Sequence, residues 1–315
     1  MKPHILVTEP EYFTAASLNL MNKVGAVNAR RFAYSELLDA MPKVNALVVR
    51  IETPVDKQLL RRAKNLECVA TATTGLDHID TAALRKFKIP LFALHGEHSV
   101  PTAEHALALL LASARNIPSA HREMFSGGWR RWQYIGVELQ GKTLGIFGIG
   151  RIGRAVARRA KAFGLKILAC DPYLPEKEVA RRGAKKVDFK TLLKKCDFIS
   201  LHAPLTHETR ACFNEKTFKL VKPSVILINT ARGLIINERD LFKALKRKQI
   251  RAAALDVYPE EPLPAKHPLR RYARVHNNLL LTPHLGGSTF EAVERASLET
   301  AKNVVKFFNP ALAVD

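Results

Sequence analysis

Three ionisable side chains in the C-terminal half stand at the ends of apolar runs, and together they could move a proton beside a bound carboxylate. The run Val225-Ile-Leu-Ile-Asn-Thr-Ala-Arg232-Gly233 ends in a guanidinium, whose planar donor fork matches a carboxylate. Ala252 to Pro262 ends in acids, Asp256 and Glu261 among them, and Leu279 to Gly287 ends in His284 before Gly286 and Gly287. Imidazole is the side chain whose charge changes nearest neutral pH, so His284 suits general acid and base work. Each has a plainer reading alone: Arg232 before a turn glycine, Glu261 as a solvated acid, His284 as a strand cap. Three such residues on successive strand ends favour a site, because ligands of open α/β sheets bind outside the carboxyl edge.

A glycine pattern upstream says what could accompany them. Thr143-Leu-Gly-Ile-Phe-Gly148-Ile-Gly150-Arg-Ile-Gly153 places G-x-G-x-x-G between an apolar run and a helix-period segment, and Asp171 follows 18 residues after Gly153. The hexapeptide alone is weak evidence; the strand before, the helix after and the acid beyond point to a dinucleotide. Gly148 would permit the turn, Gly150 would let a pyrophosphate approach the backbone, and Gly153 would let the helix pack on the sheet, with helix-start amides facing the phosphates. Asp171 would accept hydrogen bonds from the adenosine ribose and repel a 2′-phosphate, so NAD is expected over NADP.

The elements that must position these residues alternate along the chain. Ile5–Val7, Ala46–Val49, Cys68–Thr71 and Leu91–Leu94 read as strands, separated by helix-period segments such as Val55–Lys64 and Thr81–Phe87. The pattern is βαβα, hence α/β with a parallel sheet covered on both faces. A largely apolar helix from Thr102 to Arg115 reads as a connector between two lobes. Alternation then restarts, with strands at Thr143–Phe147, Lys166–Cys170, Phe198–Leu201, Val225–Asn229, Ala252–Val257 and Leu279–Thr282. Ser288-Thr-Phe-Glu reads as a capping box opening a final helix. Two doubly wound parallel-sheet domains in series are the expected architecture.

Composition closes off other classes. With 315 residues, 47% of them hydrophobic, the chain can bury two cores. The longest apolar stretch, Ala106–Ala114, is far short of a membrane span, and the N-terminus runs straight into a strand without a signal peptide. Cys68, Cys170, Cys196 and Cys212 show no paired spacing, which disfavours disulfides and zinc and fits a reducing cytoplasm. No metal is expected, since His95, Glu97 and His98 match no common zinc signature. The 50 basic residues outnumber 29 acidic ones, giving +21, yet they scatter over presumed helix faces. A nucleic-acid partner is not expected; steering of small anions is.

The order INTARG, DVYPEEP, TPHLGG behind the glycine pattern, with TGLDHID and TAEHALALLLASARNIP before it, resembles the D-2-hydroxyacid dehydrogenase family over nearly the whole chain, and within it the phosphoglycerate dehydrogenase branch. The resemblance implies a Rossmann-type NAD domain over 98–287 and a flavodoxin-like substrate domain from 1–97 and 288–315, usually as a homodimer. It implies that His284 exchanges a proton with the substrate oxygen, that Glu261 holds the ring's orientation, and that Arg232 holds the substrate carboxylate. Further cofactor contacts carried over by motif are Thr74, Arg151, Ile152, Ala203, Thr230, Ala231, Asp256, Gly286 and Gly287, beside Gly148, Gly150, Gly153 and Asp171.

For substrate, Arg50 in VRIET matches an arginine aimed at a phosphate, Thr73 and Gly75 lie in the adjoining loop, and Arg131 in GGWRRW matches a basic residue near the same site. Two departures stand against a simple transfer: Thr71 where many phosphoglycerate dehydrogenases have arginine, and His98 where they have asparagine. Losing one phosphate clamp would weaken binding by roughly 1.5 to 3 kcal/mol, the scale of a hydrogen bond to a charged group, unless Arg131 or His98 compensates. Glyoxylate or hydroxypyruvate reduction, 4-phosphoerythronate oxidation and an NAD-sensing corepressor role stay open. The stop just after the final helix implies no serine feedback through an appended domain.

Overall fold

The computed structural model describes residues 2–312, which divide into two compact units: one up to His98 together with Ser288 onward, and one from Ser99 to Gly287.

The first unit is a five-stranded parallel sheet of β1 (His4–Val7), β2 (Ala26–Ala29), β3 (Ala46–Val49), β4 (Cys68–Thr71) and β5 (Leu91–Phe92), in the order β2-β1-β3-β4-β5. All of β3 and β4 is buried, as expected for strands with helices on both faces. Alternation sorts β3 between two cores: Leu47 and Val49 join Leu37, Leu59 and Leu84 on one side, while Ala46 and Val48 join Met21 and the helix Phe290–Phe308 on the other. That helix contributes Ala296, Ala301 and Val304 to the second core. Its cap is Thr289, whose hydroxyl accepts from the Ala292 N–H at 3.2 Å. The expected capping box starting at Ser288 is therefore displaced by one residue, and Glu291 falls in the first turn, where it meets the helix dipole instead.

The second unit carries seven parallel strands: β6 (Thr143–Phe147), β7 (Lys166–Cys170), β8 (Lys185–Lys186), β9 (Phe198–Leu201), β10 (Ile226–Asn229), β11 (Ala252–Leu255) and β12 (Leu279–Leu281), in the order β12-β11-β10-β9-β6-β7-β8. Strand order reverses between β6 and β9, the crevice where doubly wound sheets bind ligands. One face packs under Ala103, Ala106, Leu107 and Leu110 of the helix Ser99–Ala114 and Val156 and Ala160 of the helix Arg151–Ala162. The segment expected to serve as a connector is thus a layer of this unit's own core. The opposite face is filled by Phe213, Phe218, Leu241 and Tyr272. Among the described residues no helix is long and apolar enough to cross a membrane.

Candidate active site

Strands β10, β11 and β12 are neighbours in register, so the three turns that follow them form one edge. After β10, the Asn229 side chain bridges its own turn: Oδ1 accepts from the Ala231 N–H at 3.0 Å and Nδ2 donates to the Arg232 carbonyl at 3.0 Å. Arg232 donates to the Ala231 carbonyl at 2.7 Å. Gly233 follows where a Cβ would stand 2.0 Å from the Tyr258 carbonyl carbon and 2.4 Å from the Pro259 nitrogen. The absence of a side chain there lets the turn after β10 lie against the turn after β11.

His284 is fixed by its backbone and by its ring. Its φ is 55°, a left-handed conformation that costs a non-glycine residue about 1–2 kcal/mol; such strain persists where surrounding structure determines it. Here the determinant is Asp256, fully buried at the end of β11. Its backbone carbonyl accepts from the His284 N–H at 2.9 Å. Its carboxylate accepts from the Leu285 N–H at 2.8 Å, the Gly286 N–H at 2.8 Å, the Thr282 hydroxyl at 2.6 Å and His105 Nε2 at 3.1 Å. Burial opposes that charge, but the hydrogen bonds from His105, Thr282 and Leu285 outweigh it and hold the carboxyl below the usual range.

Among the described residues the imidazole is held from its Nδ1 side. Glu261 Oε2 lies 2.6 Å from His284 Nδ1, while Glu261 Oε1 accepts from the Tyr258 N–H at 2.9 Å. A carboxylate facing Nδ1 makes that nitrogen the donor, which leaves Nε2 as the atom that can exchange a proton with a substrate. Imidazole and carboxylate are both about a third exposed, 30% and 31%, so solvent and substrate can reach them.

The glycine turn has a different logic at each position. At Gly148, with φ 87°, a Cβ would stand 2.6 Å from the Ala203 backbone; at Gly153 it would stand 2.3 Å from the Gly148 carbonyl oxygen. Gly148 thus serves packing across the crevice, and Gly153 the packing of the helix against its own strand and turn. At Gly150 a Cβ would meet nothing within 4 Å, and the helix it caps has no side-chain cap. Its bareness has no packing cause, which is the condition for close approach of a phosphate to the helix start, before Arg151 and Ile152. Asp171, after β7, accepts from the Ile149 N–H and the Tyr173 N–H, each at 3.1 Å and one per oxygen, which leaves lone pairs for ribose hydroxyls. Thr230 Oγ1 is buried without a partner among the described residues, a polar atom that a bound dinucleotide would satisfy. The residues present fit NAD.

In the first unit, the Arg50 guanidinium is buried and stacked 3.7 Å from the Tyr12 ring centroid. Glu9 accepts from the backbone N–H groups of Arg50 and Thr53. Thr73 is buried with its hydroxyl donating to the Gly75 carbonyl at 2.8 Å, and Thr71 Oγ1 lies 2.8 Å from Thr73 Oγ1. The Thr73 side chain is therefore tied into its own loop, whereas Thr74 is exposed. His98 is not placed as a cation for a phosphate. Its Nε2 faces the Ala72 carbonyl at 3.1 Å and must carry the proton, and Nδ1 is buried without a partner among the described residues. Burial first, and the nearby Arg50 charge, pull its pKa down. A neutral ring presenting a lone pair invites a hydroxyl, not a phosphate oxygen. Arg131, in the second unit, is exposed.

Sequence reasoning did not single out His105, Thr282 or Tyr258 as site residues. Tyr258 donates to the carbonyls of Leu255 and Thr282 at 3.0 and 2.8 Å and so ties the turn after β11 to the end of β12.

Residues 107–286 match the family model described as D-isomer specific 2-hydroxyacid dehydrogenase, NAD binding domain. The chain is 40% identical over 311 residues to a D-3-phosphoglycerate dehydrogenase of Methanocaldococcus jannaschii, covering 98% of this chain and 58% of that protein. It is 40% identical over 288 residues to a hydroxypyruvate reductase of Thermotoga maritima, covering 91% and 92%. The D-lactate dehydrogenase of Aquifex aeolicus, solved with NAD and lactic acid, is 26% identical with a TM-score of 0.86 over 98% of this chain and 96% of that one. This chain spans about half the length of the phosphoglycerate dehydrogenases it matches, 48% to 58%.

Proposed function

The chain belongs to the D-isomer specific 2-hydroxyacid dehydrogenase family, and from that premise we propose that it interconverts a D-2-hydroxy acid and its 2-oxo acid with NAD, the substrate pair being D-3-phosphoglycerate and 3-phosphohydroxypyruvate, a step of serine biosynthesis. The observation that carries the reaction class is the Glu261–His284 pair at 2.6 Å on the edge that also bears Arg232. Bound NADH supplies the hydride that reaches the carbonyl carbon. His284 Nε2 delivers the proton to the carbonyl oxygen, and takes it back in the oxidative direction. Glu261 holds Nδ1 so that the ring turns its other nitrogen to the substrate. Arg232 pairs with the substrate carboxylate and stabilises charge as it grows on the oxygen.

The phosphorylated substrate is supported by Arg50, a buried cation stacked on Tyr12, and by the phosphoglycerate dehydrogenases among the relatives. Initial rates followed by NADH absorbance with phosphohydroxypyruvate, hydroxypyruvate and glyoxylate test it. Arg50→Ala raises KM for phosphohydroxypyruvate by about tenfold or more, the scale of a hydrogen bond to a charged group, and leaves glyoxylate nearly unchanged. Equal effects on both would remove the phosphate clamp. A second reading, reduction of unphosphorylated hydroxypyruvate, is favoured by the acceptor that His98 Nδ1 presents and by the reductase relatives; a higher kcat/KM for hydroxypyruvate would select it.

A homodimer accords with the apolar surface of the second unit, where Phe125, Trp129, Trp132 and Ile135 are 66% to 81% exposed. Aromatic side chains at that exposure on one short segment mark an association surface. Light scattering on the eluting protein is expected to give twice the monomer mass, and Trp129→Ser with Trp132→Ser to halve it. A wild-type monomer at micromolar concentration would contradict the dimer.

A further inference from the structure

We propose that His105 is a positioning residue for His284, acting through Asp256 and the turn 282–286. Thr102 and His105 lie three residues apart on the helix Ser99–Ala114, hence on one face. That face meets the turn. His105 Nε2 is 3.1 Å from Asp256 Oδ1 and 3.2 Å from Thr282 Oγ1, and the position where Gly286 would carry a Cβ is 3.3 Å from Thr102 Cγ2.

The protons in this cluster are assigned by the acceptors. The Asp256 carboxylate has only lone pairs to offer, and the Thr282 hydroxyl donates its single proton to Oδ1 at 2.6 Å. Nε2 of His105 must therefore carry hydrogen, which it shares between the carboxylate oxygen and the Thr282 oxygen. Each of the remaining donors to Asp256 belongs to the turn: Leu285 N–H, Gly286 N–H and Thr282 Oγ1. Among the described residues His105 is the donor that comes from a different element, so it anchors the carboxylate to the helix layer of the core. The carboxylate in turn fixes the two amides immediately after His284, and the Asp256 carbonyl fixes the His284 N–H itself. Without His105, the buried charge keeps its contacts to the turn but loses its tie to the helix, and turn and carboxylate can shift together. A shift of even 1 Å at a proton-transferring group costs about a hundredfold in rate.

The inference rests on His284 being the proton-transferring group, and the experiment separates the two claims. His105→Leu removes the donor; His105→Gln places an amide N–H near the position of Nε2. In the cofactor-free protein, hydrogen exchange at the Leu285 and Gly286 amides is expected to be faster in His105→Leu and restored in His105→Gln. In the assay, kcat falls about tenfold or more in His105→Leu, with NADH affinity within about threefold of wild type, and recovers in His105→Gln. Unchanged exchange in a folded His105→Leu would overturn the proposed network. Faster exchange with unchanged kcat would keep the network and overturn the positioning of catalysis by His105, whereas the role of His284 falls only if His284→Asn leaves turnover within a few-fold of wild type. If His105→Leu does not fold, His105→Gln alone decides: native exchange and kcat support the donor role, and loss of both overturns it.

Discussion

His284→Asn lowers turnover by about a hundredfold to ten-thousandfold, the range contributed by a positioned acid–base group, while NADH affinity stays within a few-fold. Asparagine is the informative replacement because residue 284 sits at φ 55°, a conformation that asparagine tolerates and alanine does not. The His284 N–H bond to the Asp256 carbonyl and the bonds of the next two amides belong to the main chain, so they survive the change. The loss is then confined to the nitrogen that exchanges the proton. Glu261→Gln acts on the same ring from behind: it turns an N–H toward Nδ1, which forces the proton onto Nε2 and leaves the ring without its charge partner, so kcat falls, though less than in His284→Asn. Single-turnover rates with prebound NADH, set beside fluorescence titration of NADH, measure both quantities. A His284→Asn enzyme within a few-fold of wild type would remove the proposed mechanism.

The second large effect separates two glycines two residues apart. Gly148→Ala is expected to destabilise the protein by about 2 kcal/mol or more, because its φ of 87° already costs an L-residue about that much and its Cβ would stand 2.6 Å from the Ala203 backbone. Gly150→Ala changes folding stability by less than about 0.5 kcal/mol, since its Cβ meets nothing within 4 Å. Yet it weakens NADH binding about tenfold or more, because the added methyl takes the space in which the pyrophosphate approaches the backbone. Calorimetry without cofactor and titration with it give one number each per variant. Equal thermal losses in the two would mean that Gly150 is a packing residue and that the phosphates lie elsewhere.

How much of this could be read from the amino acids follows from where each signal resides. The buried strands announce themselves as apolar runs, and Arg232, Glu261 and His284 stand out because a charged group ends such a run. The edge strands β2 and β8 do not: Ala26-Val-Asn-Ala is half exposed and Lys185–Lys186 is two lysines, so neither shows the periodicity that burial imposes. His105 was invisible as a site residue for a related reason. On the apolar helix Ser99–Ala114 it breaks the pattern by one residue, and only the tertiary fold brings it to Asp256, 151 residues away in the chain. The hydroxyl of Thr73 and the tautomer of His98 are likewise decided by neighbours, Gly75 and Ala72, whose orientation no spacing rule reveals.

The helix Phe290–Phe308 lays Ala296, Ala301 and Val304 against Ile5, Val7, Ala46, Val48 and Cys68, the inner side of a sheet made from the opposite end of the chain. During translation that sheet leaves the ribosome long before its covering helix does, and its oily side waits through the synthesis of the whole intervening Ser99–Gly287 segment. Nascent chains stalled before residue 290 should be sticky, chaperone-seeking species, even if the intervening segment has already collapsed on its own.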